Sequence, residues 1–586
     1  MSPAIDSTAA EVPQRGGVRD LGRKRLELAE KLTVKGVGGA ERRKALCDLV
    51  TARLEEHWRE VGGPESGAGL GVVGSVARYD AGPASDLDLV LIHDDKSLSE
   101  DELADLAHRL WYPIWDAKIP LDHSVRSLED CRDVASRDPV AAAGLLDLRP
   151  VAGDTELVEQ AKSTILEDWR TTARKHLPDL LSGSRDRAQR FGELAFLSEP
   201  NLKESRGGLR DYSNLTALTA TWLADRPHGE VDEAAEYLMN VRDVLQVVSG
   251  GPQVVLGRHV ARKVAAHMGF REPDDLLAAL ANIGRRIAYA LDITERDARR
   301  VLERAERGSH IFQARRRNVA PSYVPVAPGL IEVGSDLSLA PGVRPEGDAL
   351  LPLRVGSVAA TMGLSPSPRL LEALPKTPDL PDPWPPEALS LFLDLLRSSD
   401  HLFDVWEALD LDGAIVRWLP EWKGIRNRPH NSPVHRFTVD RHSVEAVIQA
   451  GPLTSSVEDP DLLLLSLLFH DLGKCSSYED HSVVGASFIP KIVARMGIEG
   501  QRAKDLKTLV RHHLLLAELA TSEDPKAPET VAALLEPLDY RLDLLDTLRA
   551  LTEADAIAAG PKAWNPWRQA LIETLTLNAR AELASR

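Results

Sequence analysis

The chain has 586 residues and a formal net charge of -18 at pH 7. A chain of this length is too long to fold around a single hydrophobic core, and at about 150 residues per domain it suggests roughly three to four domains. The acidic balance argues against a general DNA or RNA binder, because such proteins need a basic face to displace counterions from phosphate.

Cysteine usage and the N-terminus indicate the cellular compartment. Cys47, Cys131 and Cys475 are too few and too far apart for a disulfide framework, so a reducing environment is expected. The N-terminal residues lack the basic and apolar regions of a signal peptide, and no apolar run approaches ~18 residues. We therefore expect a cytoplasmic protein with neither a membrane nor a nucleic acid as partner.

Hydrophobic periodicity predicts an α+β fold that is predominantly helical. In chain order we expect a flexible N-terminus (1–20), a domain of helices and strands (21–155), a helical domain (156–315), a Pro- and Gly-rich linker or small subdomain with short strands (316–386), and a second all-helical domain (387–586).

The first chemical motif is GSVARYDAGPASDLDLVLIHDD, at 74–95. Side chains alternate between the faces of a strand, so Asp86 and Asp88 are expected to point the same way. Magnesium is usually held by one or two carboxylates plus substrate phosphates, and two such ions can clamp an in-line phosphoryl displacement. The motif therefore predicts a polymerase-β-like nucleotidyltransferase site that uses Mg²⁺. The alternative without a catalytic role is an amphipathic strand with two solvated aspartates.

The residues before the two aspartates are predicted to bind the nucleotide. Gly74 lets the backbone approach a triphosphate closely, and the Ser75 hydroxyl and nearby amides can donate hydrogen bonds to it. Arg78 is a candidate phosphate contact, and the loop ends in Ser85, a further candidate.

A third carboxylate is expected on a neighbouring strand. Asp122, in KIPLDHSVRS, is the preferred candidate, with Asp116 and Asp130 as alternatives. Either alternative would otherwise be a solvated helix residue.

A basic segment, EPNLKESRGGLRD, follows at 199–211. Gly207 and Gly208 predict a tight turn, with Lys203, Arg206 and Arg210 around it. These cations can hold a triphosphate or a loop of a protein substrate. The structural alternative is a loop packed against acidic neighbours.

The second chemical motif is FHDLGK, at 469–474, after the apolar run LLLLSLL. Burying the pair His470 and Asp471 is costly unless a metal or hydrogen bonds compensate. His442 and Asp555 are candidate further ligands on helices. Imidazole and carboxylate ligands suit Zn²⁺, Fe²⁺ or Mn²⁺ and, more weakly, Mg²⁺. Such a site activates water for phosphoester hydrolysis.

Other residues surround this second motif. His481, His512 and His513 are candidates for a second metal position or for phosphate binding, and Lys474 is a candidate to neutralise phosphate. A structural role is preferred for His435.

Together the two motifs resemble the bifunctional protein-PII uridylyltransferase/uridylyl-removing enzymes. The segments EPNLKESRGGLRD, HSVRSLEDC, RNRPHNSPVHRFTVDRH, HDLGKCSSYEDHSVVGA and ADAIAAGPKAWNPW carry the resemblance, which runs from about residue 30 to the end. It implies transfer-site metal ligands at Asp86 and Asp88 and triphosphate contacts at Gly74 and Ser75. It also implies that the metal ligands of the HD domain are His442, His470, Asp471 and Asp555. It also implies that a PII tyrosine attacks the α-phosphate of UTP or ATP, and that the HD site later removes the nucleotide.

The sequence departs from the family in two places. GSVARYD replaces the commoner GGYGRGE-type loop. The family normally continues into two ACT domains that bind glutamine, whereas this chain stops soon after ADAIAAGPKAWNPW. Either the chain is truncated, or glutamine sensing is lost or located elsewhere. The resemblance leaves open whether UMP or AMP is transferred.

Two other functions compete with this interpretation. An RNA 3′-end nucleotidyltransferase of the CCA-adding or poly(A) type shares both motifs in the same order, but the acidic balance argues against it. A non-catalytic scaffold that binds a nucleotide is the third possibility, and the full sets of metal-ligand residues argue against that.

Overall fold

The computed structural model describes residues 18–311, 323–430, 437–475 and 480–586. Within these ranges the chain forms two compact units. The first takes in the described residues up to Leu194, then Glu199–Leu276 and those from Ile283 to Ile311, and the second is built mainly from residue 323 onward. Most of the predicted flexible N-terminus (1–20) and His435 lie outside the described residues.

The first element of the described part of the first unit is a 3-10 helix at Val18–Asp20. Its further elements are α1 (Leu21–Val34), α2 (Gly39–Glu60), β1 (Ala68–Val72), α3 (Gly74–Ala77), β2 (Leu87–His93), α4 (Glu100–Asp116), β3 (Leu121–Ser127), α5 (Leu128–Arg137), α6 (Pro139–Leu145), β4 (Arg149–Gly153), α7 (Thr155–Phe191), α8 (Leu209–Ala220), α9 (Glu230–Ser249), α10 (Arg258–His267) and α11 (Pro273–Ile311).

The four strands form one sheet in the order β3-β2-β1-β4. β1 is antiparallel to β2 and to β4, whereas β2 and β3 are parallel and are connected through α4. Parallel strands begin at the same edge of a sheet, and the register places Asp88 directly beside Asp122. The two strands predicted to carry carboxylates are thus neighbours.

The alternation of side chains along β2 explains why its apolar run contains an aspartate. Leu87, Leu89 and Leu91 face a core shared with α2 and α4. Val90 and Ile92 face a second core with α5, α6 and α7. Asp88 has the same parity as Val90 and Ile92, so it lies on that face at the open end of the sheet.

The second unit is helical apart from one small sheet, with strand order β5-β6-β7-β8. Its elements are β5 (Val324–Ala327), β6 (Leu330–Val333), β7 (Asp336–Leu339), α12 (Leu351–Met362), β8 (Ser365–Pro366), α13 (Pro368–Leu371), α14 (Pro386–Arg397), α15 (Ser399–Leu411), α16 (Ala414–Trp418), α17 (Val439–Gln449), α18 (Pro460–Phe469), α19 (His481–Met496), α20 (Gly500–Arg511), α21 (Leu515–Ser522), α22 (Pro528–Leu535), α23 (Leu542–Ala559) and α24 (Pro566–Ser585).

The segment 316–386 contains the expected short strands and also a helix, α12, that sequence patterns did not predict. Pro352 is the second residue of α12, where its missing N–H costs nothing, and Gly363 ends the helix in the left-handed conformation. Leu353 and Val355 on α12 share a core with Phe392 on α14. The predicted domain boundary at 155/156 lies inside the first compact unit, and the one at 386/387 lies inside the second. Both boundaries stay predictions.

The predicted fold class, α+β and predominantly helical, is confirmed. Within the described ranges, no helix combines the length and the apolar character that crossing a membrane requires.

Candidate active sites

Three carboxylates lie where β2 and β3 begin, and we call them the carboxylate site: Asp86, Asp88 and Asp122. Asp86 immediately precedes β2, and Asp88 is the second residue of that strand. Burial raises the pKa of Asp88 to about 6, and the negative charges of Asp86 and Asp122 act in the same direction. A partly buried carboxylate with like-charged neighbours is stabilised by a bound cation.

The two alternative third carboxylates have other positions. Asp130 accepts hydrogen bonds from the backbone N–H and the hydroxyl of Ser127, at 2.9 and 3.0 Å, and so caps α5. Asp116 is the last residue of α4. The register of β3 favours Asp122, whose catalytic role stays a prediction.

The Gly-Ser turn lies against one of these carboxylates, Asp88. Gly74 has φ +62°, and a Cβ at this position would overlap Oδ2 of Asp88. Only glycine therefore lets Asp88 approach the turn this closely. The adjacent Ser75 hydroxyl is buried and has no hydrogen-bond partner within the described part of the chain, so it is available to a ligand.

Two cations of the basic segment face the carboxylate site. Lys203 Nζ lies 3.3 Å from Asp86 Oδ2. The positive charges of Lys203 and Arg210 both act to lower the pKa of Asp88. Arg206, predicted as part of the same cluster, instead pairs with a carboxylate on α11. The basic segment therefore divides into two residues at the site and one structural residue.

The loop that carries these cations is held from both ends. Asn201 Oδ1 accepts the backbone N–H groups of Lys203 and Glu204, at 3.0 and 2.9 Å. Gly207 has φ +81°, and a Cβ there would overlap the Gly284 carbonyl. These contacts hold the backbone of the loop on both sides of Lys203.

A cavity of about 430 Å³ adjoins the carboxylate site. Its lining comprises Ser75, Arg78, Asp80, Ala84, Ser85, Asp86, Pro120, Lys203, Glu204, Leu209, Arg210, Tyr212, Ser213, Met239, Arg242, Gln246, Pro252 and Val254. This volume is typical of a site for a small ligand.

Arg78 and Ser85 line the cavity but are already bound to protein groups. Arg78 pairs with Asp80 at 2.8 Å and with Asp147 at 2.5 Å. The Ser85 hydroxyl accepts the Gly82 N–H at 2.8 Å. Their predicted contacts with a nucleotide stay predictions, and these bonds favour a role in shaping the loop.

The second group of predicted residues also converges, and we call it the histidine site. It contains His442 on α17, His470 and Asp471 directly after α18, His481 at the start of α19, His513 after α20, and Asp555 on α23. His481 is half-buried, and the side chains of the other five are largely or fully buried.

Two sets of ligand atoms in the histidine site lie close enough to hold metal ions. His442, His470 and Asp471 form one set, and Asp471, His481 and His513 form the other, with all atoms of a set within 4.8 Å of one another. Asp471 belongs to both sets. Among the described residues, the carboxylate site does not form such a set, and Lys203 is bound to Asp86 there.

The histidine tautomers fit a metal centre. Carbonyl oxygens lie close to Nδ1 of His470 (Leu467, 2.7 Å) and of His513 (Val510, 2.9 Å). When Nδ1–H donates to a carbonyl, Nε2 keeps its lone pair for a metal ion. Nε2 of both histidines, with Oδ1 of Asp471, is buried without a hydrogen-bond partner in the described part of the chain. Such orphaned acceptors around one point match what a divalent ion requires.

The pKa shifts in the histidine site also favour a bound cation. Burial opposes ionisation of Asp471, yet the charges of His470 and Lys474 hold its pKa well below the usual range. Burial also opposes a charge on His470, but the carboxylates of Asp471 and Asp555 raise its pKa to about 10. The site therefore favours a positive charge at its centre. Burial lowers the pKa of His513 to about 4, which keeps this ring neutral, as a metal ligand must be.

His430 completes the surroundings of the histidine site and was not predicted. Lys474 Nζ lies 2.6 Å from Asp471 Oδ2 and 2.9 Å from His430 Nε2. Burial lowers the pKa of His430, so its neutral ring can accept a hydrogen bond from Lys474. The signal was its place in the segment RNRPHNSPVHRFTVDRH. His512 belongs to neither ligand set.

Three family models match the chain. A nucleotidyltransferase domain matches residues 54–134, GlnD PII-uridylyltransferase matches 177–293, and an HD domain matches 439–560. The first covers Asp86, Asp88 and Asp122, the second covers Lys203, and the third covers the histidine site.

Curated relatives carry the name bifunctional uridylyltransferase/uridylyl-removing enzyme. The chain is 41% identical to the protein of Streptomyces coelicolor over 94% of its own length and 66% of the relative's. It is 38% identical to that of Mycobacterium tuberculosis (92% and 67%) and 35% identical to that of Corynebacterium glutamicum (88% and 72%). The chain thus spans about two thirds of the length of these relatives. These names do not favour an RNA 3′-end nucleotidyltransferase.

Metal content tests the shared position of Asp471. We expect Asp471→Asn to abolish metal retention at the histidine site, since it removes a ligand from both sets, and His481→Ala to lose about one ion per chain. Mn²⁺ retained after gel filtration would be measured by elemental analysis, with every protein also carrying Asp86→Asn so that the carboxylate site contributes little. Equal metal content in the Asp471 and His481 variants would show that Asp471 is not shared.

Proposed function

The chain belongs to the family of bifunctional uridylyltransferase/uridylyl-removing enzymes, and we propose that it reversibly nucleotidylylates a PII-type signalling protein. The observation that carries the proposal is the presence of two different reaction centres on one chain. One has carboxylates and a cation-lined cavity, and the other has buried histidines around a shared aspartate.

For transfer, the proposed reaction is attack of a PII tyrosine oxygen on the α-phosphate of a nucleoside triphosphate, with pyrophosphate as the leaving group. Asp86 and Asp88 would hold Mg²⁺ together with the phosphates. When bound, Mg²⁺ supplies charge neutralisation for the in-line displacement. Asp122, exposed on β3 beside Asp88, is the proposed acceptor of the tyrosine proton.

The triphosphate is proposed to lie between the Gly-Ser turn and the basic segment. The Ser75 hydroxyl, which has no hydrogen-bond partner among the described residues, donates from one side, and Lys203 and Arg210 donate from the other. Lys203 must leave Asp86 before a cation can take its place, so in this proposal it exchanges one negative partner for another.

For removal, the proposed reaction is hydrolysis of the tyrosyl-nucleotide phosphodiester at the histidine site, which gives free tyrosine and a nucleoside monophosphate. The two ligand sets would hold one or two divalent ions, which supply a water of lowered pKa. Lys474, bound to Asp471 and His430, is positioned to neutralise charge on the phosphate.

We infer UTP as the nucleotide donor and PII as the acceptor protein from the family to which the chain belongs. ATP is the alternative donor. Glutamine enters this proposal only as an effector that favours removal, on the condition that the protein has a sensing site.

The two reactions should be separable by mutation. With purified PII, we expect Asp86→Asn combined with Asp88→Asn to lower transfer at least about a thousandfold, because it removes the charges that hold Mg²⁺. Removal from pre-modified PII should be retained. His470→Ala should abolish removal and leave transfer intact. Mass spectrometry of PII would follow both reactions.

Exposed residues provide matched controls for these variants. Asp105→Asn on α4 and His267→Ala on α10 should leave both reactions unchanged. Normal transfer by the double aspartate variant would contradict the proposed transfer site.

Replacing Lys203 should change two affinities in opposite directions. In Lys203→Met, we expect binding of Mn²⁺ alone to tighten by about threefold, because a partly exposed competing ion pair is lost. The KM for the nucleotide should rise about tenfold or more, because a phosphate contact is lost. Calorimetry would give the metal affinity and initial rates the KM.

Arg206→Met is the control, because Arg206 belongs to the same loop but pairs with α11. It should alter neither affinity. Weaker binding of both Mn²⁺ and nucleotide to Lys203→Met would indicate a purely structural role for Lys203.

A further inference from the structure

Strand β3 lies at an edge of the sheet in the first unit. β2 pairs with it on one side, and among the described residues no strand pairs with it on the other. Successive residues of a strand direct their backbone groups to opposite sides. The Leu87 N–H donates to the Pro120 carbonyl at 2.9 Å, so residues with the parity of Pro120, such as Asp122, face β2. The backbone groups of His123 and Val125 therefore point away from β2.

These outward backbone groups leave the edge of β3 open. Within the part of the chain that the structure describes, no backbone hydrogen bond joins His123 or Val125 to a segment outside the sheet. β3 contains no proline, and its register with β2 runs from Leu121 to Ser127 without a bulge. Prolines and bulges are common means of blocking a strand edge. An open edge without them is a template for pairing with another extended chain.

Exposed apolar side chains lie on the α4 side of this edge. Val125 of β3 is 36% exposed, and Tyr112 and Trp115 of α4 are 58% and 47% exposed. We call these three residues the edge patch. Tyr112 and Trp115 are three residues apart and so share a face of α4. The Trp115 ring meets the His123 ring edge-on, with 5.0 Å between centroids, which brings this face of α4 against the strand. Exposed aromatic side chains of this kind are enriched in protein-binding surfaces.

The other face of the same edge carries the carboxylate site. Asp122 lies in register with Asp88, so both side chains belong to one row on one face. Neighbouring strands are about 4.8 Å apart, so a chain paired with β3 would place a residue about 4.8 Å beyond Asp122 in that row. A tyrosine at this position would direct its side chain to the face of the carboxylates. The residues before and after it would face the edge patch.

We propose that the open edge of β3 binds the acceptor protein by strand addition, with the target tyrosine beside Asp122 and an adjacent apolar residue packed on the edge patch. The partner is thus a protein with an exposed, extended segment in which a tyrosine adjoins an apolar side chain. This inference rests on the proposed transfer function and specifies how the tyrosine reaches the site.

A second copy of this chain is the competing occupant of the edge. Pairing between two β3 strands would bring a further aspartate to an acidic site. β3 has the sequence LDHSVRS, so it presents no tyrosine to the carboxylates. Charge and chemistry therefore favour the acceptor protein over a second copy.

Two substitutions test the edge. Val125→Pro removes an outward N–H and leaves the ladder with β2 intact. Trp115→Ser removes the aromatic surface and changes no backbone group. For both variants we expect the Kd for purified PII and the KM for PII in transfer to rise about tenfold or more, because an edge hydrogen bond or an apolar contact is lost. Biolayer interferometry without nucleotide gives the Kd, and initial rates give the KM.

Nucleotide binding and a matched tryptophan provide the controls. The affinity for UTP with Mg²⁺ should stay at the wild-type value in both variants, which shows that the carboxylate site is folded. Trp567→Ser, at a 62% exposed position on α24, should change neither the Kd nor the KM for PII. Where Val125→Pro loses affinity for UTP as well, Trp115→Ser decides the question.

The outcomes separate the docking surface from the proposed function. An unchanged Kd for PII in Trp115→Ser would overturn the docking surface. So would a dimer, detected by light scattering, that dissociates in Val125→Pro while the Kd for PII stays constant, because the edge would then join two copies of this chain. PII that binds through the edge and is never modified would refute the proposed function and leave the docking surface intact.

Discussion

The parallel pairing of β2 and β3 is the constraint on which the carboxylate site depends. Its register places Asp122 beside Asp88, which is two residues after Asp86, at an edge where the sheet opens. Burial raises the pKa of Asp88, and the nearby negative charges of Asp86 and Asp122 raise it further. A neighbouring cation partly compensates this negative charge. Lys203 lies against Asp86, and the tight Gly74 turn leaves room for Asp88.

The histidine site solves a similar problem by different means. Asp471 is fully buried, and burial alone would keep it neutral. Two of its neighbours, His470 and His513, have Nδ1 atoms that face backbone carbonyls, which leaves their Nε2 atoms free for a metal ion. Two ligand sets then share one carboxylate, which is an economical way to hold positive charge in a buried place. The apolar helix α18 before His470 provides the rigidity that fixes this geometry.

Local sequence patterns predicted the elements of both sites because each motif lies on a regular strand or helix. The period of β2 predicted that Asp88 shares a face with the preceding aspartate, and the apolar run before His470 predicted its burial. Patterns could not separate Lys203 from Arg206, because the partner of Arg206 is on α11, far along the chain. His430 was missed for the same reason, since its contact with Lys474 joins distant segments. Helix α12 was missed because Pro352 and Gly363 resemble loop signals, although both lie at helix ends.

The different residue types in the two sites match the charges of the two proposed substrates. A nucleoside triphosphate carries several negative charges, and its leaving pyrophosphate must be held while the new bond forms. Oxygen ligands for Mg²⁺ and the flexible cations Lys203 and Arg210 suit that task. A tyrosyl-nucleotide diester carries a single negative charge and needs an activated water more than a cradle for polyphosphate. Imidazoles, a shared aspartate and Lys474 suit hydrolysis, because imidazole and carboxylate are good ligands for divalent metal ions that activate water. In the proposed cycle, each centre is thus chemically suited to one direction, so that transfer and removal would take place at separate centres.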